Sequence, residues 1–353
     1  MPLVTATLTL KDLPPAPEGK IGWPWTEQSE PLPDRIADGS DWPRISIVTP
    51  SYNQGEFIEE TIRSILLQGY PNLEYIIIDG GSNDNSIEII KKYESFLTYW
   101  VSEQDNGQSH AINKGFKMLT GEIAAFLNSD DLYMPNTLEF VSQYLIQNPK
   151  YDFICAQTKF IDTNSKPTKG FESLFMVPIN HITMTEECHI AQPSTFFYSS
   201  VFQKIGFLNQ NLKYCFDYEF WLRAFLAGLN FGASEKVISL FRLHSYSKTM
   251  SAYSRGEFDR DFINIYQSFL GIKKLEPLYK QGLRRGLAKA TSLLFIHLED
   301  SRNTNEARYA LWGIILSNPG ILLTFSIWRT LAVSIAPVSL RMIWRRIKSK
   351  FFG

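Results

Sequence analysis

The hydrophobic rhythm of the chain changes twice. From Ile45 to about Phe126, short runs rich in β-branched and aromatic residues, ISIVTP, LEYIIID, TYWVSE and IAAFLN, alternate with segments whose apolar residues recur every three to four positions. Ile58, Ile62, Ile65 and Leu66 keep that spacing, and Ile112, Phe116 and Leu119 repeat it, so each such segment reads as a helix with one buried face. Four strand-helix steps in succession predict an α/β fold, a mostly parallel sheet flanked by helices. After Pro135 a helix runs to about Ile146 and leads into YDFICAQTKFID. From there to Leu243 short strands mix with loops around one strong helix at FDYEFWLRAFLAG, which predicts an α+β second half of the same domain.

The flanks differ. Residues 1–43 are rich in proline and acidic residues and hold neither period, which predicts an extended arm. Trp23, Trp25 and Trp42 argue that part of this arm lies against the domain, where indole rings gain burial. The last hundred residues read as helical. Tyr309 to Trp328 is uncharged and long enough to cross a bilayer, but Ser317, Asn318, Pro319 and Gly320 interrupt it and predict two short helices instead. Beyond the break, Ser326, Arg329, Thr330 and Ser334 fall on one helical face among apolar residues. The chain then closes on Arg341, Arg345, Arg346, Lys348 and Lys350, with no acid after Glu306. An amphipathic, basic C-terminal region suits peripheral contact with an anionic membrane surface. The organisation expected is an arm over 1–43, a catalytic domain over 44–250 and a helical, membrane-associating region over 251–353.

Composition narrows this picture. A formal net charge of -1 gives no bulk electrostatic reason to expect a nucleic-acid partner. Cys155, Cys188 and Cys215 are far apart and have no metal-binding spacing, which fits a reducing compartment. MPLVTATLTLKDLPPAPEGK lacks the basic and apolar regions of a secretory signal, so a cytoplasmic location is expected, peripheral on the inner face of the cell membrane.

The polar residues that could carry chemistry gather where the strands end. The first strand runs into TPSYNQGEF with neither a GxGxxG turn nor a P-loop, which weakens dehydrogenase and ATPase readings. The second delivers Asp79 beside two glycines, either to accept hydrogen bonds from a ribose or base or to cap a turn. The third leads to Glu103, Asp105, Gln108, His110 and Asn113, and the fourth to Asn128, Ser129, Asp130 and Asp131. Adjacent carboxylates at a strand end suit a hard divalent cation shared with phosphates, or else a helix cap. Asp217 opens a later helix, as a general base or a first-turn acid. Glu219 lies about 200° further round that helix, so the two carboxylates do not face one site.

Taken in order, ISIVTPSYNQGEFIEETIRSIL, IIIDGGSNDNS, SEQDNGQSHAINKG and LNSDDLYMP closely resemble the inverting family 2 glycosyltransferases of GT-A fold, over roughly residues 44–244. The resemblance implies a nucleotide-sugar donor, held by Pro50, Ser51, Tyr52, Asp79 and Asp105, and a saccharide acceptor, lipid-linked if the C-terminal region meets a membrane. It implies Mn²⁺ or Mg²⁺ as cofactor, with Asp130, Asp131 and His244 as the metal residues, although His244 also suits a buried structural role. Asp217 becomes the catalytic base, and Gln192, Glu219 and Trp221 fall on the acceptor side. Two positions depart from the family pattern: Asn128 stands where the first metal-motif acid is expected, and Phe216 where an acid precedes Asp217. These departures keep a catalytically degenerate sugar-nucleotide binder in view. A nucleotidyltransferase would show a basic, glycine-rich loop after the first strand, and SYNQGEF has no Lys or Arg.

Overall fold

The protein is described here from a computed structural model, which covers residues 7–168, 179–245, 247–248, 256–300 and 303–335. The chain divides into two compact units, Met1–Asn180 with Cys188–His244, and His181–Glu187 with Ser245–Gly353.

In the first unit, β1 (Ile45–Ser51), β2 (Leu73–Asp79), β3 (Tyr99–Ser102) and β4 (Ile123–Phe126) are the four strands predicted by the alternating runs. They pair in parallel in the order β3-β2-β1-β4. Every residue of β1, β2 and β4 is buried, as strands covered on both faces require. The crossovers are α1 (Ile58–Leu66), α2 (Ser86–Lys92) and α3 (Gln108–Phe116), and Ile58, Ile62, Ile65 and Leu66 are 3% exposed or less. Gly115 lets α3 approach the sheet: a Cβ there would stand 2.5 Å from a methyl of Val48.

Beyond β4 the sheet becomes mixed, with β7 (Thr195–Tyr198), β6 (Phe153–Ile161), β8 (Phe231–Arg242) and β5 (Leu132–Tyr133) completing eight strands. Two helices follow the predicted bounds closely, α4 (Thr137–Gln147) and α7 (Phe216–Leu226), the latter preceded by the short α6 (Val201–Ile205). The short β5 pairs antiparallel with the end of β8, Leu132 opposite Leu240, so the chain after β4 returns alongside residues more than a hundred positions later.

The arm residues described are anchored. Arg63 of α1 is 1% exposed and donates from its guanidinium to the carbonyls of Pro14, Pro24 and Trp25, while Trp23 Nε1 donates to Tyr133 O at 2.8 Å. Trp25 and Trp42 are buried.

The second unit is helical: α5 (His181–Glu186), α8 (Glu257–Leu270), α9 (Pro277–Asp300), α10 (Thr304–Ser317) and α11 (Phe325–Ile335), with a 3-10 turn over Pro319–Leu323. The break falls where Ser317 to Gly320 predict it. No helix among the described residues is long and apolar enough to cross a membrane. The orientation of α11 divides the predicted polar face. Thr330 and Ser334 are buried beside Ile327 and Leu331, with Thr330 Oγ1 bonded to Ser292 Oγ of α9 at 2.8 Å, whereas Arg329 is exposed and Phe325 and Trp328 are 85% and 57% exposed. The hydroxyls satisfy one another and nearby carbonyls inside the unit, which leaves the aromatic side facing out. The terminal basic residues 341–350 lie outside the described residues.

Candidate active site

Strand register brings the first group of polar residues together. Ser51 lies opposite Asp79, and Asp79 opposite Ser102, at the carboxyl ends of β1, β2 and β3. Asp79 is fully buried. Its oxygens accept from Ser82 Oγ at 2.6 Å, Ser102 Oγ at 2.7 Å, Ser82 N at 2.9 Å and Gly81 N at 3.1 Å. Asp79 therefore shapes the turn after β2, and its oxygens are committed to that turn. The turn is laced to the β1–α1 loop: Asn53 N donates to Ser82 Oγ, Gln54 N to Ser86 Oγ and Gly55 N to Asp84 Oδ2, all within 2.9 Å. Asp105 packs on the same turn, since a Cβ on Gly80 would stand 2.6 Å from its Oδ2, and its Oδ1 accepts from Gly107 N. Pro50 is buried, Ser51 Oγ is a buried hydroxyl without a partner among the described residues, and Tyr52 is 61% exposed. Pro50, Ser51, Tyr52, Asp79 and Asp105 thus form one rigid rim with an unengaged hydroxyl and an exposed ring.

The second group is built by the return of the chain through β5. Pairing of β5 with β8 draws the end of β8 under the loop 128–131. Arg242 N donates to Asp131 Oδ1 at 3.0 Å and Arg242 Nε to Asp130 O at 2.9 Å. The Arg242 guanidinium is fully buried, and Glu60 of α1 balances its charge at 2.9 Å. Two residues further on, His244 Nε2 meets Asp130 Oδ2 at 3.0 Å.

Of the three metal residues expected, two converge. Asp130 keeps 17% of its side chain exposed, and His244 is buried beside it with Nδ1 lacking a partner among the described residues. A carboxylate oxygen and an imidazole nitrogen are donor types that would suit a divalent cation. Asp131 is the correction. It is fully buried, one oxygen accepts from Arg242 N and the other from Asn128 Nδ2, and burial, then the charge of Asp130, push its carboxyl well above the usual range. It fastens the loop and offers no coordinating oxygen. No group of three His, Cys, Asp or Glu side chains suited to a metal occurs among the described residues.

The departure at Asn128 has a structural reason. Its Oδ1 accepts from Gln108 Nε2 at 2.7 Å, and its Nδ2 donates to Asp131 Oδ2 at 3.2 Å and Gln192 Oε1 at 3.3 Å. An amide can do both, and a carboxylate can only accept. Gln192 also donates to Phe126 O at 2.7 Å, so it buttresses the loop.

Asp217 lies in the first turn of α7, partly exposed, its Oδ1 accepting from Tyr218 N at 2.8 Å. The second departure, Phe216, anchors this turn: its ring packs on Phe126 at 6.3 Å between centroids, tying the start of α7 to the end of β4. The remaining two acceptor-side expectations are corrected. Glu219 is buried and bound through both oxygens to Arg223, one turn along, at 2.9 and 2.8 Å. Trp221 is 1% exposed and packs edge-on against Phe153 and Phe220 in the core. The three cysteines are free thiols, and burial pushes Cys155 up to about 12 and raises Cys188 as well, so neither of these resembles an activated nucleophile.

Known proteins share parts of the sequence and fold of this chain. Residues 46–206 match the model of glycosyl transferase family 2. The chain is 30% identical over 245 residues to an uncharacterized glycosyltransferase of Rickettsia typhi, covering 66% of this chain and 73% of that protein. It is 34% identical over 112 residues to a putative teichuronic acid biosynthesis glycosyltransferase of Bacillus subtilis, covering 31% and 44% respectively. Among solved structures it resembles S. aureus TarS in complex with UDP-GlcNAc, with a TM-score of 0.56 and 18% identity over 78% of this chain and 89% of the other. It also resembles a mannosyltransferase of Pyrobaculum calidifontis in complex with GDP-Man and Mn²⁺, with a TM-score of 0.53 and 16% identity over 92% and 90%. At such identities these structures speak for the shared GT-A fold alone.

Proposed function

The chain belongs to glycosyl transferase family 2, and from that premise we propose that its first unit transfers a sugar, with inversion, from a nucleotide-sugar donor to a saccharide acceptor. The observation that carries the reading is the 3.0 Å approach of His244 to Asp130 at the sheet rim, beside the ledge of Ser51, Tyr52 and the Asp79 turn, to which Phe57 of the β1–α1 loop links it by packing on the His244 ring at 4.8 Å.

In this reading Tyr52 offers its exposed ring to the base, Ser51 Oγ gains the partner it lacks, and the Asp79 turn with Asp105 lines the nucleoside. Asp130 and His244 are the residues that would hold Mn²⁺ or Mg²⁺ where the diphosphate enters. A cation held there supplies positive charge to the departing nucleoside diphosphate. Asp131, Arg242 and Asn128 keep the Asp130 loop in one shape, so little reorganisation remains when charge develops. Asp217 takes the proton of the acceptor hydroxyl as its oxygen bonds to the anomeric carbon and the bond from that carbon to the diphosphate breaks.

The acceptor is assigned more coarsely. A relative named for teichuronic acid biosynthesis, together with the outward aromatic residues of α11, supports a lipid-linked saccharide in surface polysaccharide assembly, met from the cytoplasmic side of the membrane.

The direct test is release of nucleoside diphosphate from UDP- and GDP-sugars with Mn²⁺ present, for wild type and Asp217→Asn. Turnover should fall about 10²–10⁴-fold in the variant, the worth of general-base assistance, with donor binding retained. Equal turnover would remove Asp217 from the mechanism. Wild-type protein that binds a donor but never turns it over would be a sugar-nucleotide binder.

A further inference from the structure

The second unit contains a cavity of about 750 Å³ between the start of α9 and the chain entering α11, lined among others by Gln281, Arg284, Arg285, Leu323, Thr324 and Phe325. No acidic residue lines it. Arg285 is neutralised by Glu186 at 3.0 Å, whereas Arg284, half-buried, has no carboxylate partner among the described residues. Its guanidinium lies across the backbone of Gly320, where a Cβ would come within 2.7 Å of Nε. The lip is apolar and exposed, with Leu323 at 84% and Phe325 at 85%.

A partly desolvated, uncompensated guanidinium is a planar fork that favours an oxyanion such as a phosphate, two of whose oxygens it can bind through parallel hydrogen bonds. Beside it, side chains as exposed as Leu323 and Phe325 gain free energy only when something apolar covers them. One ligand meets both demands, a phosphate attached to hydrocarbon. The surrounding surface agrees: Tyr309, Trp312 and Leu316 form an exposed stripe at helical spacing along α10, and Trp328 lies outward on α11. Amphipathic indole and phenol rings suit the boundary between headgroups and acyl chains. We propose that this cavity is a headgroup site, in which Arg284 binds the phosphate of an anionic membrane lipid while Leu323 and Phe325 enter its acyl region. The proposal deepens the membrane part of the function given above and rests on it.

Vesicle flotation of the full chain tests it, with an equimolar mixture of phosphatidylglycerol and phosphatidylcholine compared with phosphatidylcholine alone. Wild type should float with the mixture. Arg284→Gln and Phe325→Ser should each weaken binding more than the roughly fivefold that one arginine contributes near an anionic surface, while Lys289→Gln, a cation on the same helix outside the cavity, should stay within that factor. Inorganic phosphate in excess should not release the protein. Equal flotation of wild type, Arg284→Gln and Phe325→Ser would overturn the site, as would release by free phosphate, or self-association of wild type without vesicle binding. Donor-induced thermal stabilisation, measured on the same preparations, keeps the two readings apart. Donor binding without flotation sinks the headgroup site alone, and cavity-dependent flotation without donor binding sinks the transferase reading alone.

Discussion

Restoring the family's first metal-motif acid should damage this protein. Asn128→Asp replaces one NH₂ by an oxygen, and that NH₂ supplies a donor to Asp131 Oδ2 at 3.2 Å and to Gln192 Oε1 at 3.3 Å. Both contacts become oxygen against oxygen. Leaving a buried acceptor without its donor costs about 1–3 kcal/mol. Two carboxylates 3.2 Å apart repel by about 5 kcal/mol at an effective dielectric constant of about 20, a ceiling that proton uptake by one of them lowers. A net cost of about 2–4 kcal/mol follows, which for a unit of this size lowers the unfolding midpoint by about 4 °C or more. The sign with pH is fixed. The introduced carboxyl has its folded pKa raised by Asp131, and when protonated it donates as the amide did. The deficit is therefore smallest below the unfolded value of about 3.9 and grows as pH rises through the folded value. Scanning calorimetry in chelator, at about pH 5 and about pH 8, measures both effects. A variant as stable as wild type at either pH, or one whose deficit shrinks as pH rises, would refute the bracket drawn around Asn128.

Other consequences follow from the same geometry. Glu60→Gln leaves the Arg242 guanidinium buried without its counter-charge and should cost about 3–5 kcal/mol, read as a fall in the denaturant midpoint; a neutral outcome would mean that Arg242 is balanced elsewhere. His244→Ala should raise the Mn²⁺ concentration needed for half-maximal turnover about tenfold or more, the scale of a second contact to a metal or its shell, and unchanged metal dependence would reduce His244 to a structural role. Arg63→Leu removes the clamp on the carbonyls of Pro14, Pro24 and Trp25, so limited proteolysis should cut the arm while the sheet stays intact; an arm as resistant as wild type would show that the indoles suffice to hold it. Cys155 should resist alkylation until the protein unfolds, because burial holds its thiol protonated, and rapid labelling of native protein would contradict that.

The parallel half of the sheet was legible because burial there is periodic: the spacing of Ile58, Ile62, Ile65 and Leu66 is the buried face of α1 itself. The mixed half was less so. In β8 the sequence SEK interrupts the apolar pattern, and its register with β6 shifts twice between Cys155 and Thr158. At the site, Asp130 and Asp131 are indistinguishable neighbours in sequence, and only the pairing of β5 with β8 decides which carboxylate is buried against Arg242. The Glu60–Arg242 pair joins residues 182 positions apart and leaves no local trace. Glu219 did carry a signal, since Arg223 follows one helical turn later, and that spacing marks an ion pair before it marks a ligand. For α11 the period was visible but the burial of Thr330 and Ser334 was not, because hydroxyls can satisfy one another inside a unit as readily as they can meet water.

The central claim is that Asp130 and His244 form, with the ledge beside them, a metal-assisted site for a nucleotide sugar. Thermal unfolding with UDP-, GDP- and dTDP-sugars, with and without Mn²⁺, on wild type and Asp130→Ala, tests it most directly. A donor at one hundred times its dissociation constant adds about 2.7 kcal/mol to stability, so the expected result is a clear Mn²⁺-dependent rise with one nucleotide class that disappears in the variant. A rise of equal size in Asp130→Ala, or one indifferent to Mn²⁺, would contradict it.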